Sequence, residues 1–239
     1  MHGMGTIVNT LAILLGGVLG ALFGRFLNDS AQETLTKVCG VSTLFIALSG
    51  AMEGMLGVED GRIVSSGAML IVICLALGTL AGEALNIEGA FERFGQWLKV
   101  KSGNARDPRF VNAFVTASLT VCIGAMAIVG SIQDGLTGDY SVLATKAILD
   151  LIIIMVMSCS LGRGAVFSAI PVAMFQGSIT VLAGLLRPLM TDAALDNLSL
   201  VGNVLIFCVG VNLLWGKKIK VANLLPAIVF AVIAAFLPL

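Results

Sequence analysis

Apolar residues run along this chain in eight long blocks with short polar connections between them: residues 6–27, 38–55, 65–85, 111–130, 142–162, 165–186, 198–215 and 221–237. Each block is about as long as a helix needs to cross a ~30 Å hydrocarbon layer. In lipid the backbone has to satisfy its own hydrogen bonds, and such continuous apolar runs exclude the alternating strands of a barrel. The pattern predicts an all-α polytopic membrane protein with about eight transmembrane helices, forming a single integral membrane domain over 1–239. After the third block the period changes. Ile87, Phe91, Phe94, Trp97 and Leu98 recur at helical spacing against Glu88, Glu92, Arg93 and Lys99. That spacing predicts an amphipathic interfacial helix over 87–101 on the cytoplasmic surface, anchored by Trp97.

Two internal similarities suggest how the blocks are related. At a shift of 163 residues, Asp29, Ala31, Leu35 and Val38 lie over Asp192, Ala194, Leu198 and Val201. At a shift of 160, Gly17 and Gly24 lie over Gly177 and Gly184. Spans 1–3 and 6–8 then form a possible repeat, inverted because span 6 is five spans on from span 1, an odd step. A shift of 80 also places Gly50, Glu53 and Gly82 over Gly130, Gln133 and Gly162. Inverted repeats of this kind are frequent in proteins that work by alternating access.

Charge sets the orientation. Arg25, Lys37, Arg93, Lys99, Lys101, Arg106, Arg109, Arg163, Lys217, Lys218 and Lys220 fall on one side of the eight-span scheme. Only Arg62, Lys146 and Arg187 fall on the other, a split of 11 to 3 among the 14 basic residues. The basic side is expected in the cytoplasm, with both termini outside it, in a bacterial inner (plasma) membrane. The first block has no basic leader and is read as a retained span.

Composition narrows the function. The chain is 58% apolar and 12% charged with no net charge, so its partner is the lipid bilayer and no nucleic-acid partner is expected. All five cysteines lie in apolar blocks without metal-ligand spacing, and the one histidine, His2, precedes the first block. Histidine-ligated haem, a histidine zinc site and a Ser–His protease centre need an imidazole within the fold. The expectation is no cofactor, no metal centre and no enzyme activity, since no nucleophile–base pair is visible.

The candidate site residues are polar groups inside apolar blocks. Lys146 and Asp150 are one helical turn apart in block five, and ionisable groups at such depth usually pair or line a pathway. A structural i, i+4 ion pair is the alternative. Gln133 and Asp134 sit in the glycine-rich run 130–139, read as a re-entrant or capping loop at the end of span 4, or as an ordinary turn. Block six carries Ser168, Pro171, Gln176 and Gly177. A Pro/Gly interruption there exposes backbone groups to a solute, or else serves only as a packing kink. Asn9, Asn203 and Asn212 are weaker candidates, more often helix–helix glue. Asp150 and Gln176 each lie about 18 Å from the tight turn at Gly162–Gly164, so they should meet at one depth. The glycine faces Gly16/Gly20/Gly24 and Gly78/Gly82 suggest close helix contacts and a homodimer.

The run from Gly130 to Leu136, Lys146 to Asp150, Ser168 to Val172 with Gln176-Gly177, and the opening Gly5 to Thr10 together resemble a bacterial inner-membrane family known only as domain of unknown function 554. The resemblance covers essentially the whole chain. The label of transport protein sometimes given to that family is what the resemblance implies. The sequence reading is a transporter or channel for a small polar or ionic solute, with its pathway in spans 4–6 around Asp150. A non-transporting membrane scaffold or sensor subunit is the alternative.

Overall fold

A computed structural model describes residues 2–59 and 61–237. Among the described residues the regular structure is helical apart from one hairpin. In order, the elements are α1 (Met4–Phe23), α2 (Asp29–Met55), β1 (Leu56–Glu59), β2 (Arg62–Ser65), α3 (Ala68–Leu85), α4 (Ile87–Lys101), α5 (Phe110–Cys122), α6 (Ala125–Thr137), α7 (Ser141–Leu161), α8 (Ala169–Val181), α9 (Ala183–Leu186), α10 (Asp192–Trp215), α11 (Val221–Leu224) and α12 (Pro226–Ala234). A 3-10 segment, Arg163–Ser168, leads into α8. The prolines punctuate these elements: Pro108 precedes α5, Pro171 lies in the first turn of α8, and Pro226 opens α12. A first-turn proline lacks an N–H that would have no helical acceptor anyway.

Among the described residues, six helices are long and apolar enough to cross a membrane, or seven if one bent pair counts as a span. That pair is α5 with α6, whose axes differ by 63°. The eighth apolar block forms only the shorter, broken run α11–α12. Two details depart from the sequence expectation. The block 111–130 is not one straight span, because the helix is interrupted at Ile123 and Gly124, the latter at φ 148°, a conformation suited to glycine. The run 130–139 is not mainly loop: Gly130 to Thr137 continue α6, and its glycines serve close packing instead. A Cβ on Gly130 would meet Leu143 Cγ at 2.8 Å, and one on Gly135 would meet the Thr180 carbonyl. The hairpin was also not anticipated; Val58 and Ile63 are cross-strand neighbours in it. Helix α4 spans the residues predicted for it, with Phe94 stacked on Trp97 and edge-on to Phe114, both at 5.8 Å.

The chain forms two compact units. The first contains α1, the start of α2, most of α4, and α5 to α9. Its core holds Phe110, Phe114, Leu143, Ile154, Met157 and Val172. Along α1 and at its C-cap, Gly16, Gly20 and Gly24 face the carbonyls of Leu151, Met155 and Cys159. Both series advance by four, so α1 and α7 run parallel, in backbone contact. Ser158 Oγ donates across this seam to the Gly17 carbonyl at 2.8 Å. Helix α8 runs antiparallel to α1, with Thr6 beside Thr180, Asn9 beside Gln176 and Gly17 beside Val166.

The second unit contains the rest of α2, the hairpin, α3 and α10 to α12. Gly40, Gly50 and Gly54 of α2 approach Leu213, Asn203 and Leu200, so α2 and α10 are antiparallel. Gly78 and Gly82 of α3 approach Ala227 and Asn223, so α3 is antiparallel to α11–α12. Both glycine faces that suggested a homodimer are therefore occupied within the chain. At its N-terminus α4 exchanges caps with α11: Glu88 N–H donates to Asn223 Oδ1 at 2.7 Å, and the Glu88 carboxylate accepts from the Ala222 N–H at 3.0 Å and from Lys217 at 2.7 Å.

Outward faces are apolar. Helix α1 buries Gly5, Asn9, Ile13, Gly16 and Gly20 and exposes Ile7, Leu11, Leu15, Val18 and Leu22. Small and polar residues inside with large aliphatic residues outside is the reverse of a water-soluble helix. Exposed apolar area of this extent calls for a lipid environment.

Candidate functional site

The C-terminal end of α5 is where buried polar groups of the first unit collect. A helix that ends where it is buried leaves its last carbonyls in need of partners. One of these, on Val121, accepts from Lys146 Nζ at 2.9 Å. The same ammonium pairs with Asp150 Oδ2 at 2.5 Å, one turn along α7. From α1, Asn9 Nδ2 donates to Asp150 Oδ2 at 3.0 Å and to Gln176 Oε1 of α8 at 3.2 Å. Four helices thus contribute to one cluster. Asn9, Lys146, Asp150 and Gln176 are 0%, 7%, 3% and 1% exposed, so the charges are screened mainly by each other.

The cluster is not saturated. Asn9 Oδ1, an acceptor, and Gln176 Nε2, a donor, are buried with no hydrogen-bond partner among the described residues. Leaving such groups unpaired costs about 1–3 kcal/mol each. Gly177, the residue after Gln176, is half-buried, and a Cβ added to it would meet nothing within 4 Å. The arrangement offers one carboxylate, one helix-end carbonyl, one amide oxygen and one amide N–H to a small polar group, alongside a tethered cation.

The other sequence-predicted residues are placed apart from these contacts. Asp134, 0% exposed, accepts from the N–H groups of Gly3 at 3.1 Å and Gly5 at 2.9 Å, while its carbonyl accepts from His2 Nδ1 at 3.2 Å. It caps the start of α1, where a carboxylate complements the helix dipole. Gln133 is half-buried on α6 with Oε1 unpartnered among the described residues. Ser168 is buried and donates to the Ala165 carbonyl at 2.7 Å. Pro171 sits where the 3-10 segment passes into α8. Near the start of α7, the Ser141 N–H donates to Asp139 and holds that carboxyl below its usual range. In the second unit, a cavity of about 750 Å³ is lined chiefly by apolar residues, among them Leu70, Leu77 and Phe230. None of the predicted site residues is among its described lining.

The sequence reading did not include the Val121 carbonyl, and it did not place Asn9 between Asp150 and Gln176. The signal for the first was Gly124 in the middle of an apolar run, seven residues before the next small polar side chain, Ser131. For Asn9, the signal was an amide on the same helix as the Gly16–Gly20 seam.

Helices with apolar exteriors, packed through glycines around a buried ion pair, define a polytopic helical membrane protein. The chain belongs to the family described as "Protein of unknown function (DUF554)", which matches it over residues 4–236. It is 28% identical over 232 residues to the "Uncharacterized membrane protein YdfK" of Bacillus subtilis (strain 168), covering 97% of this chain and 95% of that protein. It is 29% identical over 232 residues to the "Uncharacterized protein YqgA" of Escherichia coli (strain K12), covering 95% and 94%. No solved structure matches it.

Proposed function

We propose that this protein is a transporter or channel for a small polar or ionic solute, with its pathway through α1 and α5 to α8 at Asp150. One observation carries the reading: the buried Lys146–Asp150 pair sits at a helix break beside two unpartnered amide atoms. Discontinuous helices that offer backbone carbonyls at depth are how many transporters hold solutes. A merely structural ion pair has no need of that setting. The scaffold or sensor alternative draws on the near-complete burial of Asp150 against Lys146. The protein is not proposed to be an enzyme.

The packing directions support eight crossings in one integral membrane domain. Parallel α1 and α7 need an odd number of crossings between them; α2, α3 and the bent α5–α6 pair supply three. An inverted repeat has support of the same kind. Its three matched pairs, α1 with α8, α2 with α10, and α3 with α11–α12, each pack antiparallel. With the 11-to-3 charge split, both termini lie outside the cytoplasm of a bacterial inner membrane and α4 lies on its cytoplasmic face.

The test is solute and ion flux in proteoliposomes, with melting measured on the same preparations. Asp150→Asn leaves the Lys146 charge buried without its carboxylate, at a cost of about 3–5 kcal/mol. The double variant D150N/K146M removes both charges and is expected to melt near wild type. Flux is expected to vanish in both. A folded double variant that moves solute at the wild-type rate refutes the pathway.

A further inference from the structure

The ammonium of Lys146 occupies a position built of oxygens. Asp150 Oδ2 lies at 2.5 Å and the Val121 carbonyl at 2.9 Å. Asn9, whose Nδ2 already touches Asp150, carries a buried oxygen with no partner among the described residues. A carboxylate, a helix-end carbonyl and an amide oxygen are hard donors, the set that replaces water around an alkali cation. The carbonyl end of α5 adds the negative pole of a helix dipole. An ammonium and a monovalent metal ion carry the same charge and seek the same oxygens.

We propose that this cluster is a monovalent-cation site in which the Lys146 side chain is a tethered occupant competing with a free alkali cation. The proposal rests on reading the cluster as the solute site, and it names the class of solute. Charge decides the valence. Asp150 is the one carboxylate in the cluster, so a single positive charge leaves it neutral. A divalent ion would leave a net charge at a depth where uncompensated charge is costly. An anion would face the carboxylate and the carbonyl end of α5. When a free cation enters, the ammonium must withdraw, and the Asn9 amide, which now turns its Nδ2 to Asp150, must rotate to offer its unpartnered oxygen as third ligand.

The experiment reads melting of the purified full chain in detergent, titrated with sodium, potassium or rubidium chloride at constant ionic strength in choline chloride. Lys146→Ala and Lys146→Gln are the variants. Both are expected to melt below wild type in choline and to recover saturably with at least one alkali cation. At a hundredfold excess over Kd the rise should be roughly 5–10 °C. Magnesium and calcium should not substitute, and the double variants carrying D150N should not respond. Four results overturn the proposal: folded Lys146 variants indifferent to alkali cations; a response that survives loss of Asp150; rescue by butylammonium but by no alkali ion; or failure of both variants to fold in every chloride tested. An alkali response in a protein that shows no flux upholds the cation site and removes the transport reading. Asp150-dependent flux of a neutral solute without an alkali response removes the cation assignment alone.

Discussion

Replacing Gly20 by alanine tests whether α1 and α7 are held in backbone contact. A Cβ there would collide with the Met155 carbonyl oxygen and lie 2.8 Å from its carbon and 3.0 Å from Met155 Cα. Ordinary van der Waals contact begins near 3.4 Å. The obstacle is helix backbone, so it cannot rotate away as a side chain would, and the helices must separate. Overpacking of this kind costs about 1–3 kcal/mol, towards the upper end where the neighbour is rigid. Alanine returns about 0.5–1 kcal/mol of helix propensity. The net expectation is a loss of about 1–2 kcal/mol. Gly177→Ala is the matched control, because its Cβ meets nothing within 4 Å. It should gain about 0.5–1 kcal/mol from propensity alone. The assay is reversible unfolding in mixed SDS and dodecyl maltoside micelles, followed by far-ultraviolet circular dichroism. The two alanine variants should move in opposite directions, about 1.5–3 kcal/mol apart. A Gly20→Ala protein as stable as Gly177→Ala would refute the seam.

Asp134→Ala leaves the Gly3 and Gly5 N–H groups without their acceptor and should cost about 2–3 kcal/mol in the same assay, with Asp134→Asn losing roughly half as much; no change in either variant means the cap does not hold α1. Cysteines placed at Ser102 and at Asp139 should divide under an impermeant thiol reagent in intact cells, Asp139→Cys labelling and Ser102→Cys labelling only after permeabilisation. Ready labelling at Ser102 from outside reverses the orientation.

How much of this was legible in the sequence follows the range of the interactions. Helix α4 was predicted over its own residues because its signal, apolar groups every three or four positions, is local. The meeting of Asp150 with Gln176 was legible for a related reason: they lie in adjacent blocks joined by a turn too short to allow anything but antiparallel neighbours. That a single amide, Asn9 Nδ2, touches both was not, since Asn9 is 141 and 167 residues away from its two partners. The same distance hid Asp134. Its surroundings of glycine and short polar residues look like a turn, and its acceptor role depends on Gly3 and Gly5, more than 120 residues earlier.

The glycines are the clearest case of a signal whose direction was readable and whose target was not. Spacing of four shows that Gly16, Gly20 and Gly24 form a smooth face, and that a helix will pack on it closely. Nothing in that spacing distinguishes a second copy of α1 from α7 of the same chain. What distinguishes them is the partner's register: Leu151, Met155 and Cys159 also advance by four, on the helix that carries Asp150. The seam therefore does more than join two helices. It fixes the height of Asn9 on α1 against Asp150 on α7, and the polar cluster can form only in that register. A glycine pattern first read as a sign of association is, in this fold, what sets the geometry of the site.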